Sequence, residues 1–219
     1  RMHHSYCRVG GLKDDLPAGF LKESAAAVTA VRKWVKTFEN LIMGNEIIFK
    51  RCRNVGVLSA ETAIAYGTSG PTLQASGVAM DPRKDEPYEK YGEVEFEVPV
   101  GKTGDSYDRL WVLVERVKQS LNIIEQCMEK LPAGKFRADK LPKKLTFDEG
   151  EVYVRTENPL GLMGYYVVGN GKKQPYRVKM RTASFSNVSV IPAMLPGTVL
   201  PDLISIMGSI FFVVGDVAR

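Results

Sequence analysis

The chain has 219 residues, of which 44% are hydrophobic and 25% are charged, and its formal net charge is +5. This length allows one large domain or two small ones, and the composition is that of an ordinary globular chain. Acids are interspersed among the basic residues, which is typical of a mixed solvated surface, and no nucleic-acid-binding motif accompanies them. The first residue is Arg1, so we expect the sequence to be a piece of a longer protein.

The three cysteines, Cys7, Cys52 and Cys127, are widely spaced. Their odd number argues against a disulfide framework and favours a reducing compartment. Metal sites need clustered ligands, and neither Cys-x-x-Cys nor His-x-x-x-His occurs, so we expect no zinc or iron–sulfur site in this chain alone. No apolar run reaches the roughly 20 residues of a membrane-spanning helix. The nearest run, residues 199–214, is interrupted by proline, aspartate and glycine and is predicted to be buried core.

Two helices are predicted in the first 70 residues. Apolar residues recur at helical spacing from about Gly19 to Met43, and Gly44-Asn45 provides a natural stop. Ser59 is expected to cap the N-terminus of a short helix that ends at Tyr66.

Residues 81–109 combine acids, bases, aromatic residues and turn glycines at unusual density. Within them, Gly101-Lys102-Thr103 resembles the end of a phosphate-binding loop, but Phe96 stands where that loop needs its first glycine. Asp105 and Asp108 are explained more simply by helix capping than by acid–base catalysis. We expect the segment to provide ion pairs inside the protein and at an interface.

The strongest helix signal follows this segment. Asp105 occupies an N-cap position, and apolar residues then recur with spacings of three, four and seven over about 26 residues. Pro132 and Gly134 close the helix. A dimeric coiled coil is one interpretation of this pattern, and a helix packed within a helical core is the commoner one.

The remainder of the chain is predicted to be rich in strands. Residues 135–150 are basic and turn-rich, which indicates a surface crossing, and strands begin at Glu151. Asn170-Gly171 lies between two apolar segments, residues 164–168 and 176–181, and predicts a hairpin with a few extra loop residues.

A last helix is predicted from about Leu200 to Met207, followed by an apolar strand at Phe211–Val214. The fold class is therefore mainly α with small peripheral β-hairpins, an α+β arrangement. Residues 1–134 are predicted to be mainly helical, and residues 135–219 to be hairpin-rich with a C-terminal helix and strand. No catalytic set of side chains can be assembled from these residues.

Several motifs follow one another in a recognisable order, namely Arg1-Met2-His3, Tyr6, Arg8, Gly10-Gly11, Asp15-Leu16-Pro17, Gly67-x-Ser69-Gly70, the segment 81–109, Arg116-x-x-Gln119-Ser120-Leu121, Pro175-Tyr176-Arg177 and Gly215-Asp216-Val217-x-Arg219. Their order and spacing resemble the D-type component of respiratory complex I, the proton-pumping NADH:quinone oxidoreductase. The resemblance covers essentially all 219 residues and corresponds to the C-terminal half, or somewhat more, of the family's length.

The resemblance implies a fold shared with the large subunit of [NiFe]-hydrogenases, a bundle of long helices with small sheets at its periphery. Hydrogenases hold nickel and iron on a Cys-x-x-Cys pair near the C-terminus. No cysteine follows Cys127 here. The resemblance therefore favours a quinone reductase over a hydrogenase.

The function implied is that of a core subunit in an assembly that passes electrons from NADH through iron–sulfur clusters to a membrane quinone. The chain itself would bind no cofactor, since quinone is the substrate and the nearest 4Fe-4S cluster belongs to an adjacent subunit. The implied partners are the cluster-bearing B-type and I-type subunits, the C-type subunit and the membrane H-type subunit. The implied location is the cytoplasmic side of the bacterial inner membrane, peripheral to it.

The resemblance assigns roles to four residues of this sequence. His3 and Arg8 match a histidine and an arginine near the terminal cluster, where a cation or donor raises the cluster's potential and couples it to protonation. Phe211 and Val213 match positions in the vicinity of the quinone chamber. The family's quinone-head tyrosine and its histidine/aspartate pair lie upstream and are expected to be missing, so no catalytic residue is assigned.

The sequence also departs from the family at several positions. Acids are usual where Phe211 and Ala218 stand, and arginine is usual at Gln74. Leu162 and Asn187 replace a glutamate and a histidine that are common in mitochondrial relatives. These losses of charge suggest a divergent bacterial paralogue. Two alternatives remain open, a related complex fed by ferredoxin and a non-catalytic structural paralogue.

Overall fold

The computed structural model describes residues 6–140 and 144–218. In these ranges the helices are α1 (Phe20–Ile42), α2 (Glu46–Cys52), α3 (Ala60–Ala65), α4 (Pro71–Ala75), α5 (Pro82–Asp85), α6 (Ser106–Glu129), α7 (Ala183–Ser189), α8 (Ile191–Met194), α9 (Asp202–Ile210) and α10 (Val214–Val217). The strands are β1 (Cys7–Arg8), β2 (Gly11–Leu12), β3 (Gly150–Asn158), β4 (Gly161–Gly169) and β5 (Arg177–Arg181). The predicted combination of long helices with small sheets is confirmed.

The two long helices, α1 and α6, pack against each other. Arg32 on α1 and Glu125 on α6 join them through an ion pair of 2.6 Å. Helix α6 begins as predicted, because the Asp105 carboxylate accepts a hydrogen bond from the Asp108 amide at 2.8 Å. Since α6 also packs against α4 and α9, it lies within a helical core, the commoner interpretation of its sequence. Among the described residues, no helix is both long and apolar enough to cross a bilayer.

The short helices depend on local caps. Ser59 caps α3 as predicted, its hydroxyl accepting a hydrogen bond from the Thr62 amide at 3.2 Å. Asn45 caps α2 in the same way and accepts from the Ile47 amide at 2.9 Å. Gly44-Asn45 was predicted only as the end of one helix, whereas Asn45 also starts the next.

The larger sheet is antiparallel, with strand order β3-β4-β5. Strands β4 and β5 flank the loop that contains Asn170-Gly171, so the predicted hairpin is confirmed. Strands β3 and β4 form a second hairpin, in which Asn158 pairs with Gly161 across a two-residue turn. Strands β1 and β2 form a separate small hairpin near the start of the described residues.

The predicted C-terminal strand at Phe211–Val214 is wrong. Phe211 adopts a left-handed conformation with φ 55° and ends α9, and α10 then begins at Val214. The Asp216 carboxylate accepts a hydrogen bond from the Ser184 amide at 3.0 Å, which holds α10 against α7. Phe211, Val213 and Val214 are 59%, 51% and 71% exposed, so the prediction that residues 199–214 form buried core holds only for the inner face of α9, at Ile206 and Ile210.

The hydrophobic core lies where α3, α4, α8 and α9 meet. Its buried residues are all apolar and come from distant parts of the sequence. They are Leu58, Ala63, Leu73, Val190, Met194, Ile206 and Ile210. This core holds α9 against α8 and the short helices α3 and α4, and α9 also packs against α6.

The larger sheet joins the helical block at the turn between β3 and β4. Glycine is required there, since a Cβ on Gly70 would lie 2.4 Å from the Gly161 Cα. The Ser69 hydroxyl accepts a hydrogen bond from the Leu162 amide at 3.0 Å. Arg181 on β5 donates to the Gly67 carbonyl at 2.6 Å. The loop before α4 and the tip of the hairpin are thus held together.

Candidate functional site

The dense segment at 81–109 supplies two buried charged clusters, one at each end of the segment. The C-terminal cluster is centred on Arg109, whose side chain is fully buried. Its guanidinium donates to the Gly56 carbonyl, the Gly104 carbonyl and the Ser209 hydroxyl at 2.8–2.9 Å. Burial lowers the pKa of Arg109 to about 10, so it remains charged at neutral pH.

Asp105 and Asp108 complete this cluster. The Asp105 carboxylate caps α6 and accepts from the Asn54 amide at 2.9 Å. The Asp108 carboxylate binds Arg53 at 2.9 Å and accepts from three consecutive backbone amides, at residues 102–104. Burial alone would raise the pKa of Asp108, but these amides and Arg53 hold it below its ordinary value. The acids have structural roles, as the helix-capping interpretation predicted.

The N-terminal cluster is centred on Asp81 and Arg83, which form a buried ion pair of 2.7 Å. Burial raises the pKa of Asp81 and the hydrogen bonds from Arg83 lower it by more, so the pKa lies below its ordinary value. The Arg83 guanidinium also lies 4.9 Å from the centre of the Phe96 ring, within reach of a cation–π contact. The ion pairs expected inside this segment are therefore present.

A pocket of about 410 Å³ opens beside this cluster. Its polar lining includes Arg83, Arg116, Tyr91 and Glu157. The Tyr91 hydroxyl donates to the Glu157 carboxylate at 2.6 Å. Burial raises the pKa of Glu157 above its ordinary value, although Arg83 nearby opposes that shift. The volume falls within the range of small-ligand pockets, about 300–1,000 Å³.

Arg116 differs from the other arginines of the site. Burial lowers its pKa to about 10, with a further contribution from Arg83. Among the residues that the structure describes, its one hydrogen bond is to the Gln74 side-chain oxygen, at 3.5 Å. The site therefore contains a half-buried cation that makes one long hydrogen bond.

The structure brings one of the predicted site residues to this pocket. Phe211 lines it and is 59% exposed. Val213 and Arg8 are not among the described residues that line it. Arg8 is exposed on β1, and His3 lies outside the described residues.

Arg116 and Glu157 were missed as site residues. Leu113, Arg116, Val117 and Ser120 follow one helical stripe of α6, and a cation on an otherwise apolar stripe was the available signal for Arg116. Glu157 gave no local signal, since it meets the pocket through the hairpin turn that places β3 beside the 81–109 segment.

Two of the family departures occupy structural positions. The Asn187 side chain is buried, accepts from the Ser69 amide at 3.0 Å and donates to the Leu160 carbonyl at 3.1 Å. It therefore ties α7 to the hairpin turn and to the loop before α4. Gln74 is also buried, and its amide donates to the Met80 carbonyl at 3.0 Å while its oxygen faces Arg116.

The described residues contain no group of three or more histidine, cysteine, aspartate or glutamate side chains placed to hold a metal ion. The fold and the site define an α+β chain built on two long helices, stabilised by buried ion pairs and carrying an arginine-lined pocket. Comparison with known sequences identifies the family to which a chain of this class belongs. The family model described as respiratory-chain NADH dehydrogenase, 49 Kd subunit, matches residues 1–148 and 142–219.

Curated relatives agree along the whole chain. The D 2 subunit of the NADH-quinone oxidoreductase of Salinispora tropica is 46% identical over 100% of this chain. The D 1 subunit from Streptomyces coelicolor is 46% identical over 100%, and the D-type subunit from Bacillus mycoides is 42% identical over 99%. The chain belongs to the family of the respiratory-chain NADH dehydrogenase 49 Kd subunit. It spans 57%, 58% and 59% of the length of these three relatives, respectively.

Proposed function

We propose that the chain is part of a core subunit of a proton-pumping NADH:quinone oxidoreductase and acts within that assembly. The observation that carries the proposal is the identity of 46% to the Salinispora tropica relative over the full 219 residues. The partners proposed are the B-type, C-type, I-type and H-type subunits, at the cytoplasmic side of the bacterial inner membrane. The chain is also proposed to share its fold with the large subunit of [NiFe]-hydrogenases. The long helices α1 and α6 support this proposal.

The end of α9 is proposed to form part of the wall of the quinone chamber. Phe211 and Val213 are 59% and 51% exposed, so both side chains are accessible to a ligand or a partner. Phe211 also borders the arginine-lined pocket, which combines an apolar wall with polar groups as small-molecule sites do.

The N-terminal residues are proposed to stabilise the terminal 4Fe-4S cluster of a neighbouring subunit. The hypothesis assigns His3 and Arg8 this role, because a cation or donor beside a cluster favours its reduced, more negative form. Arg8 is exposed on β1, which is compatible with a contact to another subunit. In the assembled complex, His3→Met is expected to abolish the pH dependence of the cluster's potential, and an unchanged dependence would contradict the assignment.

The activity is tested in the purified native complex by measuring NADH oxidation that is sensitive to quinone-site inhibitors. We expect Phe211→Asp, which returns an acid to the chamber wall, to shift the KM for quinone or the sensitivity to inhibitor. Phe185→Asp is the matched control, since Phe185 is 62% exposed and does not line the pocket. Equal effects of the two substitutions would remove Phe211 from the chamber.

A structural paralogue is the second candidate function. It is motivated by the apolar residues Phe211 and Ala218 at positions where the family usually has acids. A fully assembled complex that lacks inhibitor-sensitive NADH oxidation would favour it over the catalytic role. A ferredoxin-fed complex would instead oxidise reduced ferredoxin with the same inhibitor sensitivity.

A further inference from the structure

The loop between β4 and β5, residues 170–176, contains a dipeptide with chemistry of its own. Asn170 is followed by Gly171, whereas the other six asparagines are followed by leucine, glutamate, valine, isoleucine or proline. The side-chain carbonyl of an asparagine is open to attack by the backbone nitrogen of the next residue, and glycine, which has no side chain, hinders that attack least. Asn170 is therefore the asparagine of this chain that its own backbone reaches most readily.

The structure holds this dipeptide closed against the segment that precedes β3. The Gly171 N–H donates to the Phe147 carbonyl at 2.7 Å, and the Phe147 N–H donates to the Lys172 carbonyl at 2.9 Å. The Asn170 side-chain oxygen accepts a hydrogen bond from the Lys172 amide at 3.2 Å. Both groups that would react, the Gly171 nitrogen and the Asn170 side-chain carbonyl, are thus engaged in hydrogen bonds while the loop is closed.

Gly169 permits this closure. A Cβ at position 169 would overlap the Asp148 carbonyl oxygen, so a larger residue there forces the two backbones apart. Phe147, Gly171 and Lys172 are exposed, so the closed loop depends on its hydrogen bonds more than on burial. A segment held in this way opens more easily than the core of the chain.

We propose that Asn170 is a site of spontaneous deamidation and that the pairing of its loop with Phe147 controls the reaction. In the open loop the Gly171 nitrogen attacks the side-chain carbonyl carbon of Asn170. A C–N bond forms, the Gly171 amide proton passes through solvent to the side-chain nitrogen, and ammonia leaves. Water then opens the resulting succinimide ring to give aspartate or isoaspartate.

Opening of the loop sets the rate because it is much faster than the chemistry. Hairpins form within about 1–10 μs, and amide attack is slower by many orders of magnitude. The observed rate of deamidation is therefore the rate in the open loop multiplied by the fraction of molecules whose loop is open. Weakening the closed loop by about 1.4 kcal/mol raises this fraction, and with it the rate, about tenfold.

The isoaspartate product would not close again in the same way. It adds a carbon to the backbone between positions 170 and 171, which moves the Gly171 N–H away from the Phe147 carbonyl that it meets in the closed loop. It also replaces a neutral amide by a carboxylate. The modification is thus a one-way change that keeps the loop open once the loop has opened and reacted.

Gly169→Ala tests the proposal without altering the reacting dipeptide. Mass spectrometry of the peptide that contains Asn170 follows deamidation with time in the purified native complex at neutral pH. We expect the reaction to be about tenfold faster than in the unchanged protein, because the added Cβ forces Asp148 away from β4. Gly215→Ala is the matched control and should leave the rate unchanged, since its Cβ meets no atom of the described residues within 4 Å.

Trypsin cleavage after Lys172 gives a second measure of opening, since a protease also acts on the opened loop. Gly169→Ala should raise the rates of cleavage and of deamidation by the same factor. In urea, where the loop is open in every molecule, Gly169→Ala and the unchanged protein should deamidate equally fast.

Three outcomes would overturn the inference. Equal deamidation of Gly169→Ala and the unchanged protein in the folded complex would remove the control by the loop, and so would equal rates for the unchanged protein in the folded complex and in urea. An Asn170 that stays intact in urea would remove the site itself. None of these outcomes depends on NADH oxidation, so the deamidation site and the proposed function are tested separately.

Discussion

Arg109 and Arg116 lie about two turns apart on α6, and burial lowers the pKa of each to about 10. Their surroundings differ. Arg109 has a buried acceptor for each of its nitrogens, from residues before and within α6 and from α9. Arg116 has one long hydrogen bond among the described residues and opens onto a pocket. The comparison teaches that a lowered pKa does not by itself distinguish a structural arginine from one at a binding surface, whereas a complete set of partners does.

Removing Arg109 should have the largest effect on stability. Arg109→Met leaves the buried Gly56 carbonyl without its donor, removes one of the two donors to the Gly104 carbonyl, and removes the positive charge beside Asp105. We expect the free energy of unfolding to fall by about 3–5 kcal/mol, measured by urea denaturation. Arg109→Lys keeps the charge but cannot reproduce the planar fork, so its loss should be smaller. Equal stability of Arg109→Met and the original chain would refute the structural role.

Asp108→Asn should have the next largest effect and should depend on pH. The pKa of Asp108 is lower in the folded chain than in the unfolded chain, so its contribution is complete above the unfolded value of about 3.9. That contribution is lost as the pH falls through the folded pKa. We therefore expect the variant to be less stable by about 1–3 kcal/mol at neutral pH, and this difference should shrink below pH ~4. Urea denaturation of both chains across pH 3–7 measures it, and a difference that stays constant with pH would contradict the assignment.

Ser209→Ala tests the link from α9 to Arg109. The hydroxyl accepts from the Arg109 Nε at 2.9 Å and donates to the Ile206 carbonyl at 2.8 Å. Its removal leaves one buried arginine N–H unpaired, and we expect a loss of about 1–2 kcal/mol. In an Arg109→Met background the same substitution should cost less, because the partner is already gone. Strict additivity of the two changes in a double-mutant cycle would argue against a direct coupling.

Arg116→Met should have the smallest effect on the chain by itself. The substitution removes a desolvated cation that makes one long hydrogen bond and leaves an apolar side chain on an apolar stripe. We expect the free energy of unfolding, again from urea denaturation, to change by less than about 1 kcal/mol in either direction. A loss as large as that of Arg109→Met would show that Arg116 is structural and would erase the contrast between the two arginines.

The long helices were predictable because periodicity and caps agree over many residues. Asp105 and Ser59 indicated the starts of α6 and α3, and both cap as expected. Helix α2 was missed because seven residues are too few for periodicity to register. The apolar run after α9 was predicted to be a strand, since the sequence of a short apolar run does not reveal whether it forms a helix or a strand.

The candidate site was only partly predictable. The density of charge in residues 81–109 predicted internal ion pairs, but the division into two buried clusters became visible only in the structure. The pocket depends on contacts distant in sequence, such as Tyr91 with Glu157, and these arise from the placement of the hairpin against the helical block. No local pattern encodes that placement.

The turn between β3 and β4 has a consequence for the motion of the sheet. At this end the sheet is fixed by the close backbone approach of Gly70 and Gly161 and by the hydrogen bonds of Ser69 and Arg181. The first six residues of β3 are exposed. Because the sheet is attached at one end, its hydrogen bonds should open first at the other end, where contacts are fewest. Amide hydrogens should therefore exchange slowly near Leu162 and progressively faster toward Gly169, so that the hairpin frays from its distal end while the turn stays closed.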